Sequence, residues 1–252
     1  MASAYIVTNL ITGSITITPS TEDAIYTRAS LYDGFINKPF RWTAKENNTL
    51  LFDFGGAVTI DLIVLLQHNF TSNVVATLTS GTTSACDDGY SGTITYAATN
   101  TYTSITPTSN RYWKLEIDDA GCSSNSELCE IYMGVDVPFS KMYSHGWEEG
   151  LVHMNDERIT EFGNELVYEK YSIRTYRLPW NACTSTVRDE IKTLITATKR
   201  NLTSFVLIPD TSANDCVFGK IRNPYGAVAY PEKFYSTGIE FREVSAGKAV
   251  VA

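Results

Sequence analysis

Positive charge is scarce in this sequence. Its 20 Lys and Arg residues are outnumbered by 28 Asp and Glu residues, which gives a formal net charge of −8. Proteins that bind nucleic acid carry a basic patch that neutralises phosphates, and no such stripe of Lys and Arg occurs along the chain. The sequence therefore argues against nucleic acid as a partner.

Long hydrophobic runs are also missing. The longest run, residues 60–66, contains Asp61 and is far shorter than the ~20 apolar residues that a membrane-spanning helix needs. The N-terminus lacks the basic and apolar regions of a signal peptide. We therefore expect no membrane insertion and synthesis in the cytosol.

Motifs of common catalytic and cofactor sites are absent. The phosphate-binding, dinucleotide-binding, zinc-protease and serine-hydrolase signatures do not occur. Adjacent acidic pairs such as Asp118-Asp119 point to opposite faces of a strand, so they do not converge on one bond. We therefore expect neither an enzyme nor a cofactor.

Metal-ligating residues are sparse. The histidines are His68, His145 and His153, and none are four residues apart. A metal site at His145 and His153 is one interpretation, and two connector histidines without metal is the favoured one. His68 is expected to cap a turn. Asp87-Asp88-Gly89 offers oxygen ligands for calcium, although an exposed Asp-Gly turn is the commoner use of this sequence.

Cysteine occurs in an odd number and without close pairs. The five residues include no C-x-x-C arrangement. Free thiols are the expected state of a protein made in the cytosol. Cys86 and Cys122 both lie in polar stretches, so the sequence leaves open whether they form a disulfide.

Alternation of apolar and polar residues is plentiful in the first 137 positions. In residues 111–118 every second side chain is apolar, and residues 128–137 repeat this pattern with Glu130 on the polar face. Period two with one polar face predicts a half-buried antiparallel strand. Residues 58–66 are apolar on both faces, which predicts a central strand.

The pattern changes at residue 138. Residues 186–199 have apolar side chains at helical spacing, with Thr186 as a plausible N-cap. Strand patterns surround this helix. We predict a mainly β protein: an N-terminal jelly-roll β-sandwich over residues 1–137, followed by a smaller α+β domain over 138–252 with one amphipathic helix.

The first half resembles the discoidin and galactose-binding-like jelly rolls. The residues that carry the resemblance are Asp33-Gly34, Trp42, Phe52-Asp53-Phe54-Gly55, Trp113-Lys114-Leu115-Glu116-Ile117 and Leu128-Cys129-Glu130-Ile131. The resemblance covers about positions 25–137. It implies a sandwich that binds ligands through loops at one end and does no chemistry itself.

The second half resembles phage tail proteins of the distal-tail or minor-tail kind. The residues that carry this resemblance are Tyr168 to Tyr176, Leu178-Pro179-Trp180, the helix, Phe205-Val206-Leu207-Ile208-Pro209-Asp210, Cys216 to Ile221 and Glu240-Phe241-Arg242-Glu243-Val244. In the familiar order the tail-type domain comes first, whereas here the sandwich leads. The resemblance implies a structural component of a virion tail that is assembled in the host cytoplasm. It would form a homo-oligomeric ring and dock other tail proteins.

The alternative function is a carbohydrate-binding module or lectin without a virion role, and a third is an accessory domain of a glycan-active enzyme. By the jelly-roll resemblance, three loops are candidates for contact with cell-surface carbohydrate or a partner. Their residues are Phe35, Asn37, Asn69, Phe70, Asp87, Asp88 and Tyr90. Asn and Asp would hydrogen-bond hydroxyls, and the aromatic rings would stack on a sugar face.

Tyrosine, at 15 residues, is abundant. It suits interfaces and half-buried strand faces equally well. An edge strand rich in aromatic residues is costly to leave bare, so we expect Tyr171, Tyr176 and Trp180 at the interface between identical subunits.

Overall fold

The chain divides into two compact units. The computed structural model describes residues 5–7, 9–141, 143–159, 161, 165–198, 203–210 and 215–244. Unit 1 comprises residues 1–137 together with 206–217, and unit 2 comprises 138–205 and 218–252. Segment 206–217 therefore lies with the N-terminal unit. Whether 1–137 and 138–252 fold as separate domains stays a prediction.

The described part of the chain is dominated by antiparallel strands. The elements are β1 (Tyr5–Val7), β2 (Thr16–Pro19), η1 (Arg28–Leu31), β3 (Phe40–Arg41), β4 (Asn48–His68), β5 (Val75–Gly81), β6 (Ser91–Thr93), β7 (Asn100–Asp118), β8 (Glu127–Gly134), β9 (Asp136–Pro138), β10 (Glu148–Ile159), β11 (Glu165–Cys183), α1 (Ser185–Ala197), β12 (Phe205–Asp210), β13 (Asp215–Ile221), β14 (Ala227–Ala229), η2 (Pro231–Lys233) and β15 (Tyr235–Glu243). The predicted fold class, mainly β with one helix, is confirmed for the described residues.

A seven-stranded sheet forms the body of unit 1. Its order is β3-β8-β4-β7-β5-β6, and β2 pairs with the first half of β4. The long strands β4 and β7 pair with each other almost throughout, and their register breaks between Asp53 and Val58. Gly55 in this break has a φ of +75°, which an L side chain rarely adopts. A register break of this kind bends the strand locally and increases its twist.

The sandwich core is built from the predicted apolar alternation. Trp113, Leu115 and Ile117 are buried on one face of β7, and Leu50 and Phe52 of β4 join the same cluster. Large apolar side chains that bury completely each contribute roughly 2 kcal/mol or more. This core fixes the loops at both ends of the strands.

The second half of β4 is buried on both faces, as the apolar run predicts. Ile63 and Leu65 lie in the main core, while Leu62 and Val64 on the opposite face are also buried. The strands β12, β1 and β9 are neighbours in the second sheet, and segment 206–217 belongs to unit 1 by its contacts. Asn100 donates from its Nδ2 to the backbone oxygen of Cys216, at 3.2 Å, and so ties the start of β7 to this late segment.

β8 departs from the predicted half-buried strand. Glu130 was expected on a polar face, but it is only 1% exposed, and β8 is buried over almost its whole length. The prediction failed because it assumed one face open to water, whereas the segment around η1 packs against β8 and the Gly34 backbone N–H donates to the Glu130 carboxyl.

Unit 2 contains a sheet in the order β10-β11-β15-β13, with β14 paired to β15. Helix α1 contacts β11 and β15 and buries Val187, Ile191 and Ile195. The predicted helix is therefore present, but its N-cap is Thr184 and not Thr186, and Thr184 makes no side-chain capping hydrogen bond.

Limited proteolysis tests whether the N-terminal part of unit 1 folds without segment 206–217. The strands of its main sheet lie between Thr16 and Gly134, and the exposed Lys141 follows them. We expect trypsin to leave a stable fragment that ends near residue 140. A truncated chain of residues 1–140 that shows no folded circular dichroism spectrum would contradict this expectation.

Candidate functional site in unit 1

The three predicted contact loops do not form one surface. Residues 69–73 precede β5 and residues 82–90 follow it. These loops lie at opposite ends of a strand of seven residues, which is about 20 Å long. The third loop is attached to the middle of β8, because the Gly34 backbone N–H donates to the Glu130 carboxyl. The expectation that all three loops meet at one end was wrong.

In the loop of residues 82–90, the Asp88 side chain stabilises the turn of the loop itself. Asp88 accepts hydrogen bonds from the backbone N–H of Thr82, at 2.9 Å, and from the Thr82 hydroxyl. These bonds lower the pKa of Asp88. A β-carbon on Gly81 would lie 2.3 Å from Asp88 Oδ1, so the turn requires glycine there. Asp88 is therefore a structural acceptor, while Asp87 is exposed.

The aromatic candidates differ in position. Phe70 is 5% exposed and stacks on the His68 ring at 4.5 Å. Tyr90 is half-buried, with its ring 6.3 Å from that of Trp113. Burial against the core removes Phe70 as a sugar platform. Phe35, 61% exposed, and the exposed Asn37 stay at the surface.

Asn69 holds two loops together at one end of the sandwich. Its Nδ2 donates to the backbone oxygen of Asn125, at 2.8 Å, and to the Ser124 hydroxyl, at 3.1 Å. Its Oδ1 accepts from the backbone N–H of Glu127, at 2.8 Å. The amide therefore fixes the start of β8.

An arginine, a carboxylate and an aromatic ring meet beside Asn69. Arg41 and Glu127 are register partners of the edge strand β3 and β8, and Arg41 Nε donates to Glu127 Oε1 at 2.6 Å. The guanidinium carbon lies 4.1 Å from the centre of the Tyr26 ring. The Arg41 and Glu127 side chains are 31% and 23% exposed, so both reach solvent. We call Tyr26, Arg41, Asn69 and Glu127 the β3-edge site.

Backbone contacts hold Tyr26 in place. Arg41 N–H donates to the Tyr26 carbonyl at 3.1 Å, and Asp23 N–H donates to the Arg41 carbonyl at 3.0 Å. The Asp23 carboxylate accepts from the N–H groups of Ile25 and Tyr26, and the bond from Ile25 chiefly lowers its pKa. The loop is thus shaped before any ligand arrives.

A similar triad lies on another part of unit 1. Arg111 makes two hydrogen bonds to the Asp53 carboxylate, at 2.7 Å and 2.8 Å, and its guanidinium lies 4.8 Å from the Tyr112 ring centre. The Arg111 bond holds the pKa of Asp53 at about 2. Gly55 N–H also donates to Asp53, so this carboxylate secures the bend of β4.

Two titratable groups are buried in unit 1. Glu130 accepts the Gly34 N–H at 3.1 Å and 3.2 Å, and burial, aided by the Asp33 carboxylate, raises its pKa to about 8. Burial lowers the pKa of His68 to about 4. Its Nε2 lies 3.2 Å from the Thr101 hydroxyl, and its Nδ1 has no hydrogen-bond partner among the described residues. His68 is therefore a buried neutral ring and not the expected turn cap.

The predicted subunit contacts in unit 2 lie mostly inside it. Trp180 is fully buried and donates from Nε1 to the Lys141 carbonyl at 2.8 Å. Tyr176 is 2% exposed, with its hydroxyl 2.8 Å from Glu149 Oε1. Both face the side of the sheet that α1 covers, so neither offers surface to a neighbour. Tyr171 is half-buried.

Among the described residues, no group of three or more His, Cys, Asp or Glu side chains is placed to hold a metal ion. Within that same part of the chain, no helix has the length and apolar character to cross a membrane. Cys86 and Cys122 are buried thiols and do not pair.

Comparison with known proteins gives likenesses in structure only. Neither a family model nor a curated protein matches the sequence. One similar solved structure is a chitosan-binding module from Paenibacillus sp. IK-5, with 13% sequence identity and a TM-score of 0.40 over 48% of this chain and 94% of that chain. A carbohydrate-binding module of Clostridium perfringens in complex with GalNAc-β-1,3-galactose has 14% identity and a TM-score of 0.41 over 51% of this chain and 100% of that chain. The module of AlyQ in complex with 4,5-unsaturated mannuronic acid has 20% identity and a TM-score of 0.40 over 51% of this chain and 96% of that chain. None is described as a virion component. At these values the likenesses carry no argument for this chain.

Proposed function

We propose that unit 1 binds carbohydrate without catalysis, through the β3-edge site. The observation that carries this proposal is the meeting of Tyr26, Arg41, Asn69 and Glu127 at one solvent-reachable edge of the sandwich. Sugar hydroxyls both donate and accept hydrogen bonds. A guanidinium supplies fixed donors and a carboxylate supplies acceptors, so a paired Arg and Glu can hold neighbouring hydroxyls.

The charge of the site favours neutral sugars. Arg41 and Glu127 neutralise each other, and the chain as a whole carries −8. An anionic sugar would lose hydration without gaining an unpaired cation. Each hydrogen bond contributes about 1 kcal/mol net, so one site alone would bind a monosaccharide in roughly the millimolar range.

We expect Arg41→Ala to weaken glycan binding at least about tenfold, because it removes the donors and releases the Tyr26 ring. Binding is measured with a glycan array, followed by isothermal titration calorimetry on the best neutral ligand. Arg111→Ala is the matched control, since it removes an arginine from an equivalent triad elsewhere in unit 1. It should bind like the wild type.

Two results would refute the proposal. Wild-type protein that binds no glycan above background leaves the β3-edge site without a sugar ligand. Equal losses in Arg41→Ala and Arg111→Ala would show that any surface arginine matters, and not this site.

A structural role in a phage tail is the second candidate function. The observation that favours it is apolar surface on the hairpin of β10 and β11: Ile159, Val167 and Tyr168 are 79%, 53% and 57% exposed. Exposed apolar side chains on a strand at the end of a sheet suit contact with another protein. Rings of identical subunits in negative-stain electron microscopy would support this role, and single particles at all concentrations would oppose it.

A further inference from the structure

Unit 2 presents an exposed sheet face with an ordered charge pattern. Glu148 pairs with Arg177, and Arg177 pairs with Glu240 on the next strand. Arg222 N–H donates to the Glu240 carbonyl at 2.7 Å, which continues the row onto the end of β13. Directly paired residues point to the same face. The four side chains therefore form one row with alternating signs, which we call the charge row.

The charge row faces solvent. The Glu148 and Arg177 side chains are 68% and 66% exposed, and Glu240 and Arg222 are exposed too. The other face of the same strands carries the buried residues and is covered by α1. Four strands spaced about 4.8 Å apart give the row a length of about 14 Å.

The neighbouring row has a different composition. Gly150 pairs with Thr175, Thr175 with Arg242, and Arg242 with Lys220. Small neutral residues thus occupy one half and cations the other. The small residues help to leave a cleft of about 480 Å³, which the charge row also lines.

We infer that this face pairs with the same face of a second copy of the chain, related by a two-fold axis parallel to the strands. Such an axis turns the second sheet face to face with the first and reverses its strand order, so the first residue of a row lies opposite the last residue of the same row in the second copy. Glu148 then meets Arg222 of the second copy, and Arg177 meets its Glu240. All contacts along the charge row join opposite charges.

The neighbouring row fits the same operation. The two-fold axis places Gly150 opposite Lys220 and Thr175 opposite Arg242, so no cations meet each other. The long cationic side chains instead enter the space that glycine and threonine leave. A face that is complementary to itself in both charge and size is what an isologous dimer requires.

This inference is independent of the proposed sugar binding, because the pairing is measured without any sugar. If both hold, the dimer presents two glycan sites and raises the avidity for a glycan-rich surface.

The decisive experiment uses two charge-reversal variants of the full chain. In Arg177→Glu the new carboxylate would meet Glu240 of the second copy, and in Glu240→Arg the new cation would meet Arg177. We expect each variant to dimerise at least about tenfold more weakly than the wild type, as determined by sedimentation equilibrium at low salt. An equal mixture of the two variants should recover the wild-type affinity, since every facing pair is then of opposite sign.

A fold-preserving variant completes the test. Inversion of the whole row (Glu148→Arg, Arg177→Glu, Glu240→Arg and Arg222→Glu) keeps alternating signs within the chain. It should dimerise with itself and not with the wild type. The inference is overturned if the wild type is monomeric throughout, if the reversals leave association unchanged, or if the mixture stays as weak as each variant alone.

Discussion

Replacement of Glu130 by glutamine is expected to make the protein more stable than the wild type at pH 9 but not at pH 5. The buried carboxyl has its pKa raised from 4.5 to about 8, chiefly by burial. The folded protein therefore holds this proton over a range in which the unfolded chain releases it. The contribution of this protonated carboxyl to the unfolding free energy is fully present below pH 4.5 and is lost as the pH rises through 8.

The expected size of this effect is large. The two pKa values differ enough to remove about 5 kcal/mol of unfolding free energy from the wild type by pH 9. Glutamine stays neutral, keeps an oxygen for the Gly34 N–H and has nearly the same shape. Urea unfolding at pH 5, 7 and 9 measures the difference.

Glu46→Gln is the control for this experiment, because Glu46 is exposed in the same unit. Its unfolding free energy should follow the wild-type curve at every pH. A wild-type loss between pH 5 and pH 9 that persists in Glu130→Gln would show that another group causes it.

The sequence predicts the sandwich core because local alternation and burial agree there. Trp113, Leu115 and Ile117 alternate with polar residues, and all three are buried. The same logic fails for Glu130, because its carboxyl accepts the N–H of Gly34, which lies 96 residues earlier in the sequence. Alternation identifies the two faces of a strand, but it does not say whether a distant segment covers the polar one.

The β3-edge site shows the same limit. Asn69 was predicted as a contact residue and belongs to this site, but its amide is used to fix β8, and its contact role stays a prediction. Arg41 and Glu127 are 86 residues apart, and only the pairing of β3 with β8 brings them together. The signal available in the sequence was Pro39-Phe40-Arg41-Trp42, a short aromatic strand with a charge. It indicates a strand but not the partner of its arginine.

Unit 2 illustrates an ambiguity of aromatic strands. In β11, Tyr176, Leu178 and Trp180 share one face, and Arg177 lies on the other. Amphipathic alternation of this kind suits a subunit interface or a helix packed within the same unit. Here α1 covers the aromatic face, because its own apolar stripe also requires burial. The face left for a partner is the charged one, which sequence reasoning about tyrosine overlooks.

His68→Phe is expected to reduce the sensitivity of the protein to acid. The folded-state pKa of His68 is lowered from 6.5 to about 4 by burial, so the unfolded chain takes up the proton first. Stability is unaffected by this group above pH 6.5 and falls as the pH drops towards 4, by about 3 kcal/mol in total. Phenylalanine cannot take up a proton, and its ring can keep the stacking on Phe70.

The two stability curves should therefore cross. At pH 7.5 the variant loses the bond to Thr101, at a cost of about 1 kcal/mol, while the Thr101 hydroxyl keeps its bonds to Ala97. Near pH 4.5 the variant should be the more stable protein in urea unfolding. His145→Gln is the control, since His145 is exposed and its replacement should leave the acid slope of the wild type in place. An acid slope of His68→Phe equal to that of the wild type would exclude His68 as the group whose protonation unfolds the sandwich.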